Sequence, residues 1–84
     1  MVIWKRELSL TTTQDVDLPE GAEIILAREQ HDRVCIWYRC NPEAPKKARR
    51  IAIVGTGDAC PETEGRYLGT ASLRRGNFMV FERV

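Results

Sequence analysis

This 84-residue chain has very little histidine, no charge of one sign to spare, and no long apolar run. Its single histidine is His31, with no serine or cysteine nucleophile beside it in sequence. A nucleophile, base and orienting group therefore cannot be assembled from what is visible. The 13 Lys and Arg residues against 12 Asp and Glu leave a formal net charge of +1. Phosphate neutralisation supplies most of the affinity of nucleic-acid binders, and the basic excess that provides it is missing. No stretch approaches the roughly 20 apolar residues that cross a bilayer as a helix. Met1–Trp4 runs straight into Lys5-Arg6-Glu7, so no secretory leader is expected. Three cysteines, an odd number, do not close a disulfide framework. Free thiols in a reducing cytoplasm are the simplest reading. Sustained 3.6-residue periodicity is absent as well, so helix is expected to be minor.

What is present alternates with a period of two. Val2–Leu10 reads as a first strand and Gln14–Leu18 as a half-buried second one, ended by Pro19-Glu20-Gly21. Glu23–Gln30 and Arg33–Cys40 flank the polar break His31-Asp32 as a hairpin, apolar on both faces and so central in its sheet. Asn41–Arg50, with Pro42, Pro45 and four basic residues, reads as an ordered loop. Ile51–Thr56, Arg66–Leu73 and Phe78–Arg83 read as a closing three-strand meander, with an acidic loop at residues 57–65 and a turn at Arg74–Asn77. The expectation is one all-β domain over residues 1–84, mainly antiparallel: a small sandwich or partly open barrel of six or seven short strands. So short a chain buries a modest core, stable by about 5–10 kcal/mol at most, and a self-dimer would support it.

Four groups of residues are candidates for chemistry. Asp58, Glu62 and Glu64 share one loop, but a solvated loop does not raise a carboxyl pKa for acid–base work. Cys35, Cys40, Cys60 and His31 contain ligand types for zinc. Residues five apart on a strand face opposite ways, however, so buried thiols and no metal are expected. The corners Gly55-Thr56-Gly57 and Gly69-Thr70 lack the lysine and helix of a phosphate loop. Side by side, their backbone donors would still suit an anion. Gly55, Thr56, Gly57 and Thr70, with Arg49, Arg50 and Arg74, are therefore the candidate ligand-binding residues. Lys46-Lys47-Ala48-Arg49-Arg50 with Arg74-Arg75 would make one positive patch, or simply guard a sheet edge. Trp4, Trp37, Tyr38 and Tyr67 would stack bases if exposed, but are expected mostly in the core.

One pattern spans the chain in order: Pro19-x-Gly21-Ala22-Glu23-Ile24-Ile25, Val34-Cys35-Ile36-Trp37, Ile53-Val54-Gly55-Thr56-Gly57, Tyr67-Leu68-Gly69-Thr70 and Met79-Val80-Phe81-Glu82. It resembles a family of small proteins of unknown function encoded by tailed phages and prophages. Those proteins tend to end Val-Phe-His-x-Phe-Glu, and the histidine is missing here. The resemblance implies an accessory protein made inside a bacterium, and it brings no activity or cofactor with it. The expected function is a non-enzymatic, cofactor-free binding protein acting on a host defence component. It would sequester a nucleotide-type ligand or block a protein surface, as a homodimer or higher oligomer, in the host cytoplasm and away from membranes. A small nucleic-acid-binding barrel is the alternative, and a small hydrolase the weaker one.

Overall fold

A computed structural model describes residues 1–60 and 65–83. It contains β1 (Val2–Glu7), β2 (Thr13–Pro19), β3 (Glu23–Gln30), β4 (Arg33–Cys40), β5 (Lys46–Gly55), β6 (Gly65–Leu73) and β7 (Gly76–Arg83). The strands form two antiparallel sheets, ordered β1-β4-β3 and β2-β5-β7-β6. No helix occurs among the described residues, and none is long and apolar enough to cross a membrane. The all-β expectation holds. Glu62 and Glu64 of the acidic loop lie outside the described residues.

Local chemistry accounts for the turns. His31 and Asp32 have φ of 53° and 60°, the paired left-handed conformation of a two-residue hairpin turn whose twist matches the strands. At the end of β2, the Ala22 N–H donates to the Pro19 carbonyl at 3.0 Å. Gly21 sits at φ 79°, as the third position of such a turn requires.

Three expectations are corrected. The β3–β4 hairpin is not central as a whole: β4 lies between β1 and β3, and β3 is an edge. The basic segment is not all loop. Lys46–Arg50 opens β5, where Pro19↔Lys46 through Asp15↔Arg50 pair in register and the Arg50 guanidinium reaches the Asp15 carboxylate at 3.0 Å. The proline turn shrinks to Asn41–Pro45, held by the Glu43 N–H on Asn41 Oδ1 and the Ala44 N–H on the Asn41 carbonyl. The last three strands are not a simple meander either. β7 lies between β5 and β6, with Val80 fully buried between Ile53 and Gly69. This sends β6 to the sheet edge, where it meets the other sheet.

Val34, Ile36, Tyr38 and Cys40 of β4 face Val16, Leu18, Ile51, Ile53, Leu68, Ala71 and Val80 across the interior. The sandwich is sealed on one side, where β3 and β6 run alongside each other in the same direction. Arg66 Nη2 donates to the Ile24 carbonyl. The Ser72 N–H donates to the Glu29 carboxylate and the Arg74 N–H to the Asp32 carboxylate, each at 2.8 Å. Between them Gly69, at φ 154°, lies so close to Ala27 that a Cβ would strike its carbonyl oxygen. The Ser72 N–H, first among the causes, holds the Glu29 carboxyl below its ordinary pKa. That contribution to the seam is therefore complete above the ordinary carboxylate range and fades as pH falls through the lowered folded value.

Gly69→Ala is expected to cost about 3 kcal/mol, read as a lower urea midpoint, because both the backbone conformation and the contact with Ala27 oppose a side chain. Thiol titration is expected to find Cys60 reactive in the native protein and Cys35 and Cys40 reactive only on unfolding. Cys60 is exposed, the other two are buried, and burial pushes the Cys35 thiol up.

Candidate functional site

The seven candidate ligand-binding residues do not converge. The Gly55-Thr56-Gly57 corner closes on its own chain. The Asp58 N–H donates to the Gly55 carbonyl and the Thr56 N–H to the Asn77 carbonyl, both at 3.0 Å. The Asp58 carboxylate stands over Gly55, 2.6 Å from where a Cβ would lie, so the protein's own anion fills that space. Thr70 is bonded to the Tyr67 hydroxyl, and Val54↔Met79↔Thr70 sets a whole strand between it and β5. Arg74 sits at the β6–β7 turn, held through its N–H by Asp32. Arg49 and Arg50 lie six and five residues before Gly55, roughly 15–20 Å down the strand. The basic stretch and Arg74-Arg75 are thus at opposite ends of the molecule and form no common patch.

Arg49 has a structural task. It points inward, with only 21% of its side chain exposed, and grips Glu82 of β7 with two nitrogens. A third nitrogen donates to the Ala22 carbonyl at 2.8 Å. This fork ties the β2–β3 turn to the last strand, using the planar geometry that distinguishes arginine from lysine. No group of three His, Cys, Asp or Glu side chains is placed to hold a metal among the described residues. Cys40 is in the core, while Cys35, five residues earlier, faces the opposite way between Glu7 and Arg28.

A cleft of about 500 Å³ opens beside the His31-Asp32 turn. Leu8, Val34 and Leu73 line its apolar part, with Glu7, Arg33 and Arg75 at the polar rim. The rim charges largely answer one another: Arg33 pairs with Glu7 at 2.8 Å, a bond that raises the guanidinium pKa further. No unpartnered buried polar atom points into it, since none occurs among the described side chains.

The aromatic expectation also needs correcting. Only Tyr38 is core; Tyr67 is 55% exposed and Trp4 39% exposed. Trp4 lies on β1, a strand at the edge of its sheet. Two sheets have four edges, and three are guarded. β3 and β6 seal each other. β2 carries Asp15 and Asp17 and ends in Pro19, the charges and proline that discourage further strand pairing. The fourth edge, β1, is different: all six of its residues are exposed, and they begin Val2-Ile3-Trp4. Tyr38 meets the Trp4 ring edge-on at 6.4 Å, and Lys46 lies over it at 5.4 Å. A single bond, from Arg6 Nη1 to the Asp17 carbonyl at 3.2 Å, spans toward β2.

The ladder shows which backbone groups β1 leaves open. The Leu8 N–H donates to the Val34 carbonyl at 2.8 Å, continuing the register Glu7↔Cys35. Antiparallel ladders alternate bonded and non-bonded pairs. Val2, Trp4 and Arg6 therefore bond β4, and Ile3, Lys5 and Glu7 turn their N–H and C=O groups to the free side. Hairpin signals in the sequence located β3 and β4, but only the sheet order reveals that β1 is an edge.

Fold and surface together define a small two-sheet β domain with one apolar strand edge uncovered. The chain belongs to the family described as "Domain of unknown function (DUF7352)", whose model matches residues 1–84. Neither a curated protein nor a solved structure matches it.

The edge assignment predicts opposite outcomes at adjacent positions. Lys5→Pro removes an N–H that bonds nothing within the sheet, and is expected to shift stability by less than about 1 kcal/mol. Arg6→Pro removes a ladder donor and is expected to cost about 3 kcal/mol or more in urea unfolding.

Proposed function

We propose that this domain is a non-enzymatic binding protein that adds an extended segment of a protein partner to the β1 edge and so blocks that partner's surface. The observation that carries the reading is that every residue of Val2–Glu7 is exposed, in a molecule whose other edges are guarded. Strand addition draws affinity from main-chain hydrogen bonds and specificity from pockets for alternate side chains. Ile3, Lys5 and Glu7 offer the first. Trp4, flanked by Val2 and Arg6, offers the second, an aromatic anchor of the kind enriched at interface hot spots. The resemblance to phage and prophage proteins supports reading the site of action as the inside of a bacterial cell and the target as a host defence component. A protein target also suits the charge balance of +1, which supplies no field for collecting phosphates.

The test is site-specific cross-linking in bacteria, with benzoylphenylalanine placed at Ile3 and, as control, at exposed Arg28 on the far edge. A discrete cross-linked bacterial protein is expected from position 3 only, and Lys5→Pro should abolish it. Equal labelling from both positions would overturn the reading. So would tight calorimetric binding of a cyclic or linear nucleotide unaffected by Lys5→Pro.

A further inference from the structure

We infer that, when no other partner is bound, a second copy of this chain occupies the β1 edge, pairing antiparallel with its twin about a dyad at Trp4. The inference rests on the preceding reading of β1 as a binding edge and adds what fills it at rest.

Symmetry restricts the choices. A two-fold axis perpendicular to the sheet keeps inward residues opposite inward ones, so odd positions meet odd and even meet even. Ile3, Lys5 and Glu7 are also the positions with free N–H and C=O groups, so the backbones match in every such arrangement. Side chains then decide between registers. Centring the axis on Lys5 or Arg6 sets identical cations directly opposite, which destabilises a strand pair. Centring it on Ile3 shortens the overlap and leaves Arg6 and Glu7 outside it. Centring it on Trp4 overlaps the strand from Val2 to Arg6, pairing Val2 with Arg6, Ile3 with Lys5 and Trp4 with itself. No like charges then face each other directly.

The Trp4 pair falls at a non-hydrogen-bonded site, where opposing Cα atoms approach to about 4.5 Å and side chains touch most closely. The indoles would be supported from behind by Tyr38 and from above by Lys46. The product is a continuous six-stranded sheet, β3-β4-β1 followed by its symmetry mate, with no exposed apolar edge. A partner segment must therefore displace the second copy, so capture is an exchange of strands and weakens as the protein concentration rises.

Sedimentation equilibrium of the full chain from micromolar to high-micromolar concentration tests the dimer. A mass rising toward twice the 9.6 kDa of the chain is expected for the wild type. Lys5→Pro should remain at the single-chain mass, with a urea midpoint that matches the wild type's once both are diluted to where the wild type is also a single chain. The register is read by mixing Val2→Cys with Arg6→Cys, each in a Cys60→Ser background, under air oxidation. The mixed disulfide should predominate over same-variant dimers at least several-fold. A wild-type mass of one chain throughout, or only same-variant disulfides, overturns the inference. If the single-chain mass is found while the Ile3 cross-link persists, β1 remains a partner edge and only the resting occupant is refuted.

Discussion

The close approach of Gly69 to the Ala27 carbonyl is the constraint on which the architecture turns. A side chain at that position would force β6 away from β3 and pull Arg66, Ser72 and Arg74 off the acceptors they reach on the neighbouring sheet. With the gap closed, the edge strand of each sheet supplies cover for the other, and backbone groups that would otherwise face water find partners. The other side stays open: β1 and β2 do not pair, and Arg6 reaches across to the Asp17 carbonyl.

Most strands were readable from alternation and turn chemistry, because those signals are local. His31-Asp32 is a polar dipeptide between two apolar runs, and both residues tolerate the left-handed conformation the turn imposes. Pro19-Glu20-Gly21 was readable for the same reason. Lys46–Arg50 was misread because its charges suit a loop, whereas its partner β2 supplies Asp15 across the ladder and lets a basic run lie extended. The position of β7 was hidden for another reason. Adjacent strands pair often enough to make a meander the simplest guess. The burial of Val80 and the bulge at Leu68, which send β6 outward, exist only in three dimensions.

The surface was harder to foresee than the fold. Glycine corners attract a ligand reading because glycine often marks close approach of something. Here the close approach is by the chain itself: Asp58 over Gly55 and Ala27 against Gly69. Arg49 likewise reads as a free cation in a basic run, yet the fold turns it inward onto Glu82, a residue 33 positions away. Val2-Ile3-Trp4 carried the relevant information in its composition. Nothing local distinguishes an edge strand from a central one, however, and only the sheet order shows that one side of β1 has no neighbour.

The order of the sheets also bears on how the chain is made. β1 finds its place on β4, and β2 on β5, while only the β3–β4 and β6–β7 pairs are joined by short turns. On a ribosome, which releases the amino terminus first, β1 and β2 emerge long before the strands that receive them. Ordering must await distant segments whose ends have first to be brought together, a topology that folds slowly. Throughout that interval Val2-Ile3-Trp4 has no strand to pair with, so its backbone groups as well as its side chains face water.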